Sequence, residues 1–336
     1  MKKSLVLAMA MALGVTASAY AANPFSDVPA GHWAYDSINK LAAEFADELD
    51  NLGVRVANLE KKADNVKVTG ELRYKYMSKQ GDANVDRNGN HSFENDLRSR
   101  IWVTGQINDD WSYTGMIENT QDFYGESANK GDEDTSFARA YVEGKIGGLN
   151  VTAGRYNAFL ANGNIYDDKV DGAEVSYGDK VKVTGFAGKA TEVDGGNYAG
   201  GELAGSFGDL NLAAGYVNYK DLNKDDIGKG LDNAIWYVGA DYTMGDVNLS
   251  GMYLKGDMSY NDVDEKVLDD DGWTVGLAYK GAEATEVGSW GLFANYYDLG
   301  GQTYIAHTTD ANTFDGEGFK GYGVGANYTF AKNIVG

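Results

Sequence analysis

The chain has 336 residues and a formal net charge of −21, with no basic block to offset the acidity, which excludes the phosphate-binding face that a nucleic-acid partner requires. A cysteine count of 0 excludes disulfides, a thiolate metal site and a cysteine nucleophile together. With 45 glycines, 23 tyrosines and only 2 prolines, the composition is that of a sheet protein, since a disordered chain would lack the aromatics.

Lys2 and Lys3 precede an apolar run from Leu5 to Val15, and small residues end in Ala19-Tyr20-Ala21. That is the pattern of a secretory signal peptide over residues 1–21, leaving Ala22 as the first mature residue. Beyond it no apolar stretch approaches the roughly 20 residues of a membrane-spanning helix, so the mature chain is soluble or crosses a membrane as a barrel. From Ile38 to about Val66 the pattern is helical. Leu49, Leu52, Val56, Leu59, Ala63 and Val66 alternate at spacings of three and four, which reads as a short coiled-coil stalk over residues 44–65. Leu41, Phe45 and Leu49 interrupt the heptad just upstream. A single amphipathic helix packed on a domain accounts for the same pattern.

From Val66 onward the period changes to two. Alternating segments run Val66–Ser78, Leu97–Asn108, Trp111–Gln121, Ser136–Ile146, Leu149–Tyr156, Val170–Tyr177 and Val181–Lys189. They continue with Tyr198–Phe207, Leu210–Tyr219, Asn233–Thr243, Val247–Gly256, Gly272–Tyr279, Ser289–Asp298 and Gly321–Phe330, and another begins near Asn333. The connections alternate between short turns, such as Gly147-Gly148, Gly178-Asp179 and Gly208-Asp209, and long polar loops, among them Asn157–Lys169 and Leu299–Lys320. A soluble sandwich has no reason to sort loop length by parity, whereas a membrane barrel with one tight and one elaborated end does. The expectation is an all-β transmembrane β-barrel of about 16 antiparallel strands over residues 66–336, with the last hairpin missing because the count stops at the start of a fifteenth strand.

Parity then assigns the faces. In Ser136–Ile146, Ala138, Ala140, Val142 and Ile146 share one side and Arg139, Tyr141, Glu143 and Lys145 the other, so the first set meets lipid and the second a wet lumen. Aromatics near strand ends, such as Trp111, Tyr113, Tyr177, Phe207, Tyr219, Tyr242 and Tyr279, suit interfacial girdles. Arg73, Arg98, Arg100, Arg139 and Arg155 come from neighbouring strands and form a candidate basic wall; the parity of Arg155 groups it with Val151 and Ala153, which makes it the weakest member. Asp167, Asp168 and Asp171, around the loop after the fifth strand, face them if that loop folds inward. Such an arrangement sets a transverse field across a narrow aqueous eyelet, which screens solutes by charge and size. Salt bridges that merely satisfy lumen charges are the alternative.

Enzyme signatures are weak: His32, His91 and His307 are scattered, and no nucleophile elbow is present. Gly316-Glu317-Gly318-Phe319-Lys320-Gly321 matches a phosphate-loop pattern but leads into a strand, where a phosphate cradle needs a helix N-terminus. The acidic runs Asp132-Glu133-Asp134 and Asp269-Asp270-Asp271 lack EF-hand spacing and fit solvated loops. No catalytic residue, metal site or cofactor is expected.

FSDVPAGHWAYDSINKLA, Phe25 to Ala42, looks like the opening third of an S-layer homology (SLH) domain. Together with EFADELDNLGVRVANLEKKADNVKVTGELRY, Glu44 to Tyr74, it resembles the OmpM family, the SLH-domain porins of diderm Firmicutes (Negativicutes). The resemblance implies an outer-membrane homotrimer of sixteen-stranded porins, each with a coiled-coil stalk and a periplasmic SLH domain that holds peptidoglycan. It also implies residues 22–43 as a partial SLH segment with Asp27 and Trp33 as possible wall-binding residues. After Leu41-Ala42-Ala43 the chain passes directly to Glu44, so the later SLH segments that supply much of the wall-polymer pocket are absent, and peptidoglycan binding is weakened accordingly.

Overall fold

The computed structural model describes residues 65–79, 92–123, 134–191, 193, 196–222, 230–259, 268–309 and 317–336, together with the isolated positions Lys40, Phe45, Asp47, Glu48 and Leu52, which are helical. The signal segment, Asp27, Trp33 and most of the stalk segment lie outside the described residues. The chain divides into two units, Met1–Val66 and Lys67–Gly336.

The second unit is a β meander. Its strands are β1 (Val66–Lys79), β2 (Ser92–Gln106), β3 (Trp111–Asp122), β4 (Asp134–Ile146), β5 (Leu149–Leu160), β6 (Tyr166–Tyr177), β7 (Val181–Ala190) and β8 (Asn197–Phe207). They continue as β9 (Leu210–Leu222), β10 (Leu231–Met244), β11 (Val247–Ser259), β12 (Asp271–Lys280), β13 (Trp290–Gly300), β14 (Gly318–Ala331) and β15 (Ile334–Val335). Each strand bonds to the next in chain order, the topology of an all-β, up-and-down transmembrane barrel wall.

Register confirms which side chains share a face. On β12, Trp273, Val275, Leu277 and Tyr279 point outward and are exposed, opposite Tyr253 and Leu249 of β11 and Tyr296 and Leu292 of β13. Aromatic side chains mark both ends of this outer face. Tyr242, Tyr279, Trp290 and Tyr328 lie toward the tight turns, and Trp236, Tyr253, Trp273 and Tyr322 toward the long loops, with Val238, Leu249, Leu277 and Val324 between them. Six residues separate Trp273 from Tyr279, about 20 Å along a strand. Two aromatic girdles around an aliphatic band are what a bilayer core with two interfaces selects. An Arg at Leu277 is therefore expected to cost about 2–4 kcal/mol of folding stability in vesicles, whereas at Ala278, its inward neighbour, the cost should be small; denaturant titration of both variants checks this.

Two sequence expectations need correction. A register shift between β3 and β4 at Met116/Ile117 turns Phe137 outward and buries Ala138, so Ala138 does not continue the outer face of Ala140 and Val142. Tyr219 is not a girdle residue. It points inward and is almost fully buried, with its ring 6.0 Å from that of Tyr198. Its position about three-quarters of the way along β9 places it against Tyr166 of the inserted β5–β6 ribbon rather than at a membrane interface.

Candidate functional site

The β4–β5 ladder stops at Ala140 and Arg155. Beyond that pair β4 runs on to Asp134 bonded to β3, while β5 runs on to Leu160 bonded only to β6. On the other side β6 joins β7 only from Val170. Asn157–Lys169, expected as a long polar loop, is thus mostly a two-stranded ribbon that, with Tyr156, peels from the wall. It turns inward: at its tip Asn164 Nδ2 lies 3.7 Å from Sδ of Met252, an inward side chain on β11, five strands further along the sheet.

The ribbon does this because it is amphipathic at period two. Tyr156, Ala158, Leu160, Tyr166 and Val170 form a buried apolar face, and Asn157, Asp167 and Lys169 alternate with them. The apolar face packs on Phe186, Tyr198, Val217, Tyr219, Leu222, Ile235, Tyr237 and Leu254 from the inner faces of β7 to β11. Each large side chain removed from water contributes about 1.5–3 kcal/mol, so the docked ribbon is a stable element. The tip turns through Ala161, Asn162 and Gly163, all with left-handed φ (54°, 54° and 76°), of which only the glycine tolerates that conformation without cost.

A second segment, residues 301–309 after β13, meets this tip. Ile165 O accepts bonds from the amides of Ile305 (2.9 Å) and Ala306 (3.1 Å), Asp167 N donates to Ala306 O (2.8 Å), and Thr308 N donates to Gly163 O (2.9 Å). Buried Gln302 anchors the segment: its Nε2 donates to Leu268 O, its Oε1 accepts from Met258 N, and its carbonyl accepts from Asn233 Nδ2. Gly256 permits that approach, since a Cβ there would lie 2.2 Å from the Gln302 carbonyl oxygen.

The wall formed by β1 to β4 carries charge instead of apolar bulk. Arg98 bonds Glu71 (3.1 Å), and Arg100 bonds Glu118 (2.5 Å) and lies 3.6 Å from Glu71; Arg73 and Lys75 approach Asp96 at 4.0 and 3.7 Å. Every one of these residues is inward by register or parity. A polar relay joins this wall to the inserted elements. Arg139 donates to Asn157 Oδ1, Asn157 Nδ2 to Asp167 Oδ1 (2.8 Å), and Thr308 Oγ1 to Asp167 Oδ2 (2.6 Å). Asp168 accepts from its neighbour's amide, Lys169 N, at 2.6 Å. Below the ribbon tip a polar chamber of about 540 Å³ is lined by Lys182, Glu202, Asn211, Asp241, Ser250 and Asn295, with Asn162, Asn164 and Thr308 at its edge.

The structure therefore brings Arg73, Arg98 and Arg100 together on one wall and ties Arg139 to Asp167 through Asn157. Arg155 and Asp171 do not join them. Their bidentate pair, 2.7 Å at each contact, shares the outward parity of Ala153 and Ala173, because the β5–β6 register places both at the hinge below the ribbon. Glu71, Glu118 and Asp96, which complete the charge network, and Gln302, His307 and Thr308 were not among the expected site residues.

No family model matches the chain, and no curated protein matches it. Among solved structures it is similar to OmpT, an outer membrane protein of Vibrio cholerae in trimer form, at 18% identity over 79% of this chain and 85% of that one, with a TM-score of 0.50. It is also similar to Salmonella typhi OmpF in complex with daunomycin, at 15% identity over 80% and 86%, with a TM-score of 0.52. The fold is that of an outer-membrane porin barrel. At these identities the likeness carries the architecture alone.

Proposed function

We propose that this chain is a diffusion porin of the outer membrane, a water-filled channel for small hydrophilic solutes and ions. The observation that carries the reading is the asymmetry of the inner face: the apolar ribbon covers β7 to β11, while the Arg98–Arg100–Glu71–Glu118 wall stays partly exposed. An inner face that carried paired charges with no water beside them would be costly, so a wet passage between ribbon and wall is the economical state. On this reading Arg73, Arg98, Arg100 and Arg139 line one side of the constriction, with Asp167 and Asp168 on the ribbon. Liposome swelling with sugars of increasing size tests it: entry of small sugars and exclusion of large ones is expected, and no entry of any sugar would overturn it.

A plugged barrel that serves as a membrane anchor is the rival. The buried tyrosine-rich cluster favours it in part, but among the described residues that cluster takes no side chain from β1 to β3. The N-terminal features supply the rest of the proposal. A signal peptide (1–21), a partial SLH segment (22–43), a coiled-coil stalk (44–65) and the resemblance to OmpM-type porins point to a homotrimer embedded in outer-membrane lipid, with its N-terminus in the periplasm. Tethering to peptidoglycan through Asp27 and Trp33 is the weakest part, since later SLH segments are missing from the sequence. No enzymatic role is proposed.

A further inference from the structure

We propose that residues 301–309 are the second half of the constriction, and that His307 and Thr308 are positioning residues that pin the ribbon tip and so set the pore's cross-section. The inference rests on the porin reading and adds to it a fixed clasp between two inserted elements.

His307 is buried, and both of its ring nitrogens are used. Nδ1 accepts from the Thr309 amide (3.2 Å) and lies 3.0 Å from the Thr309 hydroxyl, so in the neutral ring Nε2 carries the proton and donates to Asn164 Oδ1 (3.2 Å). Asn164 in turn gives its Nδ2 to Ala161 O (2.8 Å), which fixes the amide's orientation and closes the tip. Around the imidazole stand Tyr297 of β13, Tyr304 of its own segment and Phe319 of β14, with ring centroids 5.2, 6.2 and 5.1 Å away. Thr308 completes the clasp on both faces of the tip. Its hydroxyl reaches Asp167, its amide reaches Gly163, and a Cβ on Gly163 would lie 2.8 Å from the Thr308 Cβ, so the two strands of contact are as close as the backbone allows.

A second proton at Nδ1 finds one acceptor, the Thr309 hydroxyl, but sets the ring N–H against the Thr309 amide N–H and places a full charge inside an aromatic cage. Burial accordingly pushes the His307 imidazole down to about 4, and only the Asp167 carboxylate works in the opposite sense. The sign follows from linkage. The clasped state binds the extra proton less readily than a released, solvated histidine near 6.5, so the clasp is at full strength above about 6.5 and weakens as pH falls toward about 4. The ratio of released to pinned ribbon should rise by about tenfold per pH unit across that window.

The test is single-channel recording of the full chain in planar bilayers between pH 7.5 and 4, with wild type, His307→Gln, His307→Ala and Gly256→Leu. Gln keeps a donor for Asn164 and cannot titrate; Leu at position 256 pushes Gln302 away without touching His307. Wild type should show larger, noisier openings on acidification, His307→Gln should stay flat, and His307→Ala and Gly256→Leu should show the acid behaviour already at pH 7.5. If wild type conducts but all four proteins share one conductance and one pH profile, the clasp is wrong and the porin reading stands. If wild type does not conduct at any pH, the porin reading fails first.

Discussion

Trimming the ribbon, by replacing residues 157–169 with a two-residue Asn-Gly turn, should raise single-channel conductance severalfold. The wall does not need those residues: β4 stays bonded to β3 through Asp134, and β6 meets β7 from Val170 onward. What they do is occupy lumen cross-section from the hinge at Arg155 to Met252 on the far wall. Removal also uncovers Phe186, Tyr198, Tyr219, Ile235 and Leu254 to water, so the wider channel should be less stable, by about 1.5–3 kcal/mol for each side chain fully exposed. Conductance in symmetric salt, with denaturant titration of the same preparation, reads both effects. An unchanged conductance would place the narrowest point outside the ribbon.

The second large effect concerns charge. Arg98→Ser combined with Arg100→Ser should move the reversal potential strongly toward cations, because Glu71 and Glu118 lose the guanidinium groups that now neutralise them. Each uncovered carboxylate acts on an ion about 6 Å away with roughly 0.7 kcal/mol even at the dielectric of water, so the pair changes local cation occupancy by about tenfold. Glu71→Gln with Glu118→Gln should move the potential the opposite way. Salt near 0.1 M is the useful range, since higher ionic strength screens both shifts. Equal potentials in all three proteins would mean that ions do not pass this wall and that the pairs only satisfy one another.

Much of the barrel was legible in the sequence, for a reason visible strand by strand. A bilayer on one side and water on the other force a period of two, so Trp273, Val275, Leu277 and Tyr279 declare their face without any knowledge of neighbours. The ribbon was not legible in the same way. Its alternation continues from Tyr156 through Leu160, but Asn157, Asp167, Asp168 and Lys169 give it the polarity of a loop, and strand boundaries there depend on what the apolar face meets. Tyr219 was misplaced because inward and outward tyrosines look alike until an inserted element buries one of them. The clasp left a fainter trace: Tyr304-Ile305-Ala306 is the longest apolar run in the loop from Leu299 to Lys320. The basic wall was legible by parity, yet its pairing with Glu71 and Glu118 needed the register of three strands.

The measurement that bears most directly on the central claim is planar-bilayer conductance of the purified full chain at neutral pH. An open passage between the ribbon and the β1–β4 wall predicts stepwise, ohmic channels that persist after the protein is washed from the bath. A barrel that inserts and folds but passes no current would contradict it and make the lumen a closed plug.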